Sequence, residues 1–237
     1  MKKILFLMTI AIAATTLFAC NGKDDKNDAE NPYEVGFPSL VDMYYIPSSV
    51  KVKLVVADEC DSTHFPYFAM DCGFNEGQAY WFNAKDESKM SGFVKYANFF
   101  GDTLGVVKHG IPHQQIASVM PLVSVDVTSD SDFDETHPAG SSLNNILSLY
   151  TYHDLGASIA SKREKGVWCR DSIFVGLTAI TETNPVNMLN DWFRIHFTKA
   201  PATPGAYKFT VSMKFGADPL TGETVDIEPV TVEIEFK

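Results

Sequence analysis

Apolar and polar positions alternate most cleanly near the C-terminal end of the chain. Tyr207, Phe209, Val211, Met213 and Phe215 fall on one parity, and Lys208, Thr210, Ser212 and Lys214 on the other. Successive side chains of an extended backbone point to opposite faces, so this period of two predicts a strand with one buried face. A turn follows over 216–222 (Gly-Ala-Asp-Pro-Leu-Thr-Gly), and Val225 and Ile227 then begin a returning strand. Pro229 shifts the phase, because Val230, Val232, Ile234 and Phe236 continue on even numbers. A proline with a one-residue slip predicts a bulge or bend on an edge strand, where the chain can change sheets. The nine large apolar residues of Tyr207–Phe215 and Val230–Phe236 would contribute about 14 to 27 kcal/mol gross if fully buried. This hairpin is the predicted centre of the core.

Other strands follow the same reasoning. Val50, Val52, Leu54 and Val56 alternate with Lys51, Lys53, Val55 and Ala57. Val123, Val125 and Val127 alternate with Ser124, Asp126 and Thr128, and Phe193, Ile195 and Phe197 with Arg194, His196 and Thr198. The nearly continuous apolar run from Ile173 to Ile180 predicts a central strand covered on both sides. Helix is sparse. Ser142 can cap a short helix in which Leu143, Ile146, Leu147 and Tyr150 share a face, with Gly156 past its end. Met90, Phe93, Val94 and Ala97 have helical spacing too, but Gly92 and the aromatic density up to Phe100 leave helix and strand both open for 89–100. Residues 60–88, rich in aromatics and turn formers, read as a long excursion between elements. The sum is a mainly β fold: an immunoglobulin-like β-sandwich with a short helix and long loop insertions.

The N-terminus is organised differently. Residues 1–19 have the parts of an export signal, with Lys2 and Lys3 before an apolar run over Ile4–Ala14 broken only by Thr9. The uncharged stretch ends at Cys20, short for a spanning helix. Leu17 is too large for an ordinary secretory cleavage site, and the order Leu17-Phe18-Ala19-Cys20 resembles a bacterial lipoprotein signal. That resemblance implies a diacylglyceryl group on the Cys20 thiol and a mature chain that starts there. Two or three acyl chains would hold stably where one holds only marginally. Residues 20–32 contain no large apolar side chain, so they cannot offset their chain entropy by burial and read as a disordered acidic tether. Residues 33–237 then form one domain. Lys23-Asp24-Asp25, behind the cysteine, resembles the acidic export signal of Bacteroidetes lipoproteins and implies an outer-membrane anchor facing the cell exterior.

Charge narrows the partners. The formal charge of −11 becomes −13 once Lys2 and Lys3 leave with the leader, which disfavours nucleic acid and direct adhesion to anionic head groups. The expected contact with a membrane runs through the lipid at Cys20. Three thiols remain, Cys60, Cys72 and Cys169, so at most one intramolecular disulfide can form. Cys60 and Cys72 close the shortest loop and are the favoured pair, worth about 3 kcal/mol on the chain-entropy model. Three reduced thiols are the alternative, and Cys169 reads as a small buried hydrophobe.

The segment from Ser131 to Asn145 (Ser-Asp-Phe-Asp-Glu-Thr-His-Pro-Ala-Gly-Ser-Ser-Leu-Asn-Asn), with the terminal hairpin, resembles an uncharacterised family of Bacteroidetes exported lipoproteins. The resemblance covers about the second half of the chain. It implies an exported β-rich domain and brings no catalytic residues.

Candidate chemistry is thin. Asp130, Asp132 and Asp134 sit at alternate positions as in a calcium loop, but Glu135 stands where that loop needs Gly and Ser141 where it needs a bidentate Glu. A solvated acidic loop is the preferred reading, with metal binding the alternative. His109 and His113 are four apart, yet Gly110 and Pro112 argue against the helix that would align them. No Gly-x-Ser-x-Gly elbow occurs and no carboxylate pair stands out, so no enzyme and no cofactor are expected. Trp81, Trp168 and Trp192 are the candidate ligand contacts, because indole offers a large apolar face with a polar handle; core packing is the competing role for each. The expectation is a non-catalytic module that binds a glycan or a partner protein at the cell surface. The rivals are a carrier of an apolar small molecule or lipid between its sheets, and a structural component of the envelope with a pairable strand edge.

Overall fold

The computed structural model describes residues 39–56, 66–82, 84–103, 115–151, 154–165, 172–188 and 190–237. The leader, Cys20 and its tether, Cys60, Cys169, Trp168, His109 and His113 lie outside these residues. The fold is mainly β, with several antiparallel sheets and two short helices among the described residues.

The largest sheet has five strands: β2 (Ser49–Val56), β3 (Tyr67–Gly73), β7 (Leu147–Thr151), β8 (Ile173–Gly176) and β9 (Trp192–Phe197). Their spatial order is β2-β3-β9-β7-β8, all antiparallel, so β9 is the middle strand. A second sheet has the order β11-β10-β6, with β6 spanning Leu122–Ser129, β10 Gly205–Phe215 and β11 Val230–Phe236. The alternations predicted for β6, β9 and β10 are observed, and Val125, Val127, Phe193, Ile195, Phe197 and Phe209 are all buried. Of the nine large apolar residues of the C-terminal hairpin, eight are buried and Val230 is half-buried. Rings from both sheets meet: Phe197 lies 5.2 Å from Phe209 and 5.4 Å from Phe236, centroid to centroid. Such contacts bury large areas and hold the inner faces together.

The third sheet is small, with the order β4-β1-β5: β1 (Met43–Tyr45) pairs antiparallel with β4 (Ala79–Trp81) and parallel with β5 (Ile116–Ser118). Helix α1 (Glu87–Phe100) packs on it, with the Tyr44 and Phe93 rings 5.4 Å apart and Tyr80 and Tyr96 5.3 Å apart. Asp86 caps α1 by accepting from Ser88 N at 2.9 Å, and Gly101 ends it at φ 70°, a left-handed position that suits glycine. Gly92, which weakens the helical reading of the sequence, has a packing reason. A Cβ there would lie 2.2 Å from the ring of Tyr80, so the ring occupies the space of a side chain. Beyond α1, the buried carboxylate of Asp102 accepts Ser39 Oγ and Leu40 N at 2.6 Å and Tyr44 OH at 3.0 Å, fastening the start of the described chain to the end of the helix.

Several expectations are corrected. In β2, Val52 pairs with Met70 and Leu54 with Ala69, leaving Lys53 as an extra residue; this bulge turns Leu54 outward to 51% exposure and Val55 toward the core. The run Ile173–Ile180 is not central: β8 is an edge strand with Phe174 62% exposed, and Leu177–Ala179 is a 3₁₀ turn. The helix predicted from Ser142 is a single 3₁₀ turn, Asn144–Ile146, followed by β7. Ser142 Oγ donates to Asp126 at 2.6 Å instead of capping a helix, and Leu147, Ser148 and Leu149 are buried on both faces, which erases a strand's period of two. Gly156 ends no helix but lies in the first turn of α2 (Leu155–Lys165). The excursion over 60–88 contains β3 and β4. Val225 and Ile227 are half-buried but unpaired, and the returning strand starts only at Val230.

Candidate functional site

The acidic loop between β6 and β7 is a closed structural network. Asp130 Oδ1 accepts Lys208 N at 3.2 Å, Asp132 Oδ1 accepts Ala139 N at 2.8 Å, and Asp134 Oδ1 accepts Thr136 N at 2.8 Å. Between the carboxylates Phe133 points inward, fully buried, with its ring 5.8 Å from those of Phe197 and Tyr207. The alternation of Asp with Phe133 is therefore a loop that turns its carboxylates onto backbone amides while plugging the core. His137 is buried as well; its Nδ1 lies 2.7 Å from Asp134 Oδ1 and its Nε2 2.8 Å from Asn145 Oδ1. Lys199 Nζ sits 2.6 Å from Asp134 Oδ2. Lys199, with the hydroxyl of Thr136, holds the Asp134 carboxyl well below the usual carboxylate range. Among the described residues no three His, Cys, Asp or Glu side chains gather as metal ligands.

The candidate tryptophans do not converge. Trp81 ends β4 on the small sheet, 38% exposed, opposite Met43. Trp192 begins β9 on the large sheet and is half-buried. Trp168 lies outside the described residues, as do His109 and His113. Cys72 is buried in β3, and burial, then the charge of Asp191, pushes its thiol up from the ordinary value. Its proposed disulfide partner, Cys60, is outside the described residues.

Aromatic and cationic side chains gather on the outer face of the five-stranded sheet, opposite the core. Antiparallel register builds the cluster. On β9, Phe193, Ile195 and Phe197 point to the core, so Trp192, Arg194 and His196 point away. His196 pairs with Tyr67 of β3, Arg194 with Ala69 of β3 and Tyr150 of β7, and Tyr150 with Phe174 of β8. Small Ala69 leaves room beside Arg194. The guanidinium carbon lies 4.8 Å from the Tyr67 ring centre, 5.2 Å from Trp192 and 5.6 Å from Tyr150. All three distances fall within cation–π range. The Tyr67 and His196 rings stack at 4.8 Å, and Phe174 meets His196 edge-on at 5.9 Å. Tyr150 OH lies 3.0 Å from Ser172 Oγ.

The electrostatics of this face differ from those of the loop. Among the described residues Arg194 has no carboxylate within ion-pair distance. Burial, and then Arg194, push the His196 imidazole below its ordinary value, so it is neutral at physiological pH, and its buried Nε2 has no hydrogen-bond partner among the described residues. At the β2 side Lys53 pairs with Asp71 at 2.8 Å. The outer edges carry the exposed Leu54 and Phe174. Sequence reasoning flagged Trp192 but missed Arg194, Tyr67 and Tyr150. The available signal was the solvent side of β9, where Trp, Arg and His stand in place of the short polar residues usual on such a face.

Comparison of the chain with protein families, curated proteins and solved structures finds no match.

Proposed function

We propose that the chain is a surface-displayed lipoprotein, anchored through Cys20 and facing the cell exterior, whose folded part is a non-catalytic module that binds a glycan. The proposed site is the outer face of the five-stranded sheet. The observation that carries the reading is the placement of Arg194 among Tyr67, Trp192 and Tyr150 with no carboxylate partner among the described residues. The uncovered parts of the half-buried rings offer apolar surface to a sugar, and a guanidinium without a carboxylate partner among the described residues offers donors to its oxygens. An immunoglobulin-like pairing of two sheets is the finer reading of the scaffold. The ring contacts of Phe197 with Phe209 and Phe236 support it, while the third sheet and α1 lie outside such a pattern.

A partner protein is the second reading, favoured by the exposed Leu54 and Phe174 at the two edges of the same face. A carrier role has less support, because Phe133, Phe197, Phe209 and Phe236 fill the space between the sheets with rings in mutual contact. The module test is a glycan array probed with the purified chain and with Tyr67→Ala, Trp192→Ala and Trp81→Ala variants. Loss of binding in the first two with retention in the third supports the site; loss in Trp81→Ala alone moves it to the small sheet, and no glycan bound by any form refutes the reading. Mass spectrometry of the native N-terminus tests the anchor: fatty acid absent from Cys20 overturns the proposed address.

A further inference from the structure

Resting on the glycan reading, we infer that the ligand is an acidic polysaccharide, whose carboxylate or sulfate group is taken by Arg194 while its sugar rings lie along the neighbouring aromatics.

Arg194 stands on the middle strand of the large sheet, so the face extends on both sides of it. At the usual strand spacing of about 4.8 Å, the two outermost strands lie roughly 19 Å apart, enough for an extended oligosaccharide. The faces of Tyr67, Trp192 and Tyr150 lie against the guanidinium. Rings this close to a guanidinium strip part of its hydration, and with no carboxylate in ion-pair distance among the described residues its N–H donors favour an added acceptor. Such a cation gains more from an anion than from a neutral hydroxyl, because charge-assisted hydrogen bonds are the stronger and a lowered local dielectric enlarges the difference.

The surrounding charges point the same way. Lys51 and Lys53 on β2 and Arg194 on β9 are the described cations at this face, and Asp71 opposes them, already paired with Lys53. Asp191, just before β9, is a second, half-buried carboxylate near Lys53, so three cations at this face meet two carboxylates. From β7 and β8 the face receives Ser148, Tyr150 and Phe174, none of them acidic. The chain as a whole carries −11, so a cationic patch on it is a local exception, complementary to an anion. The fork of Arg matches two oxygens of either a carboxylate or a sulfate, and the geometry does not separate the two.

The experiment measures affinity of the full lipoprotein in detergent for polygalacturonate, dextran sulfate, neutral dextran and polyglutamate, at low and at physiological salt. Binding to polygalacturonate or dextran sulfate at least about tenfold tighter than to dextran is expected, and the tighter of the two anions identifies the acidic group. Arg194→Gln should weaken the anionic ligand about tenfold or more, with Arg194→Lys recovering little of the loss because ammonium lacks the planar fork. An unchanged thermal melt shows that the variants fold; if they do not, Lys53→Gln is measured in the intact fold, where weaker binding of the acidic polymers with unchanged binding of dextran supports the inference and unchanged binding of the acidic polymers overturns it. Dextran bound as well as the acidic polymers overturns the inference and leaves the glycan reading standing. Anionic binding indifferent to Arg194→Gln also overturns it, as does polyglutamate bound as tightly as the acidic sugars. If none of the polysaccharides binds, both this inference and the glycan reading fall.

Discussion

Loop 130–145 and the outer face of the five-stranded sheet are built from the same kinds of group, a histidine, charged side chains and aromatic rings, yet they are finished in opposite ways. In the loop the aspartates and the histidine meet other parts of the chain: Asp130 meets Lys208 N, Asp132 meets Ala139 N, Asp134 meets Lys199 and Thr136, and His137 meets Asp134 and Asn145. On the sheet, Arg194 is held by ring faces alone and His196 keeps a nitrogen without a partner among the described residues. A polar network that closes on itself can offer little to a ligand, because each donor already has its acceptor. Groups held in place but left incomplete retain interaction energy for something else. Acidic or histidine-rich composition therefore does not mark a site, and the proposed site rests instead on a cation that the fold fixes among rings with no carboxylate partner among the described residues.

The contrast makes graded predictions. Phe133→Ala should destabilise the fold by about 3 to 5 kcal/mol in denaturant titration, since it empties the ring cluster beneath the loop. A cost near zero would mean that the loop is an independent appendage and the comparison is wrong. His137→Ala should cost about 1 to 3 kcal/mol by leaving Asn145 and Asp134 short of a partner. His196→Ala, removing an already unsatisfied nitrogen, should cost clearly less in the same assay. A double-mutant cycle between Tyr67→Ala and Arg194→Gln should show coupling of only about 0.5 to 1 kcal/mol, the size of a partly exposed cation–π contact. A larger value would show that Arg194 is a structural pin.

The finest distinction is in pH. Both Asp134 and His196 titrate below their ordinary values of 3.8 and 6.5, so each contributes stability that is present above that value and lost as pH falls through its lowered one. Acidification should reach His196 first and Asp134 last. Denaturation midpoints of His196→Gln should lose the earlier decline and those of Asp134→Asn the later one. In an NMR titration, Arg194→Gln should raise the pKa of His196, because it removes the neighbouring positive charge.

Strands with one buried face could be read from the chain, which is why β6, β9, β10 and β11 stand where their alternation placed them. The misses have physical causes. β7 is buried on both faces at Leu147, Ser148 and Leu149, so Leu143, Ile146, Leu147 and Tyr150 fell into a helical spacing that no helix uses. β8 is apolar but lies at an edge, its Phe174 belonging to the outer face. Among its described side chains helix α2 buries only the narrow stripe Leu155, Ser158 and Ile159, and Gly156 looked like a terminator. The candidate site was half visible. Trp192, Arg194 and His196 could be placed on one side of a strand, but Tyr67 and Tyr150 reach them only through the pairing of β3 and β7 with β9, which local pattern does not encode.

The ring of Tyr80 seated over Gly92 makes α1 a keyed shaft. With that notch filled, a slide of one residue along the axis would drive the side chain of Ser91 or Phe93 into the ring, and a rotation would do the same, so the helix has one azimuth and one height on its sheet. Asp86 at its head and Asp102 just past its tail inherit that indexing, and so does the strand segment Met43–Tyr45 beneath it.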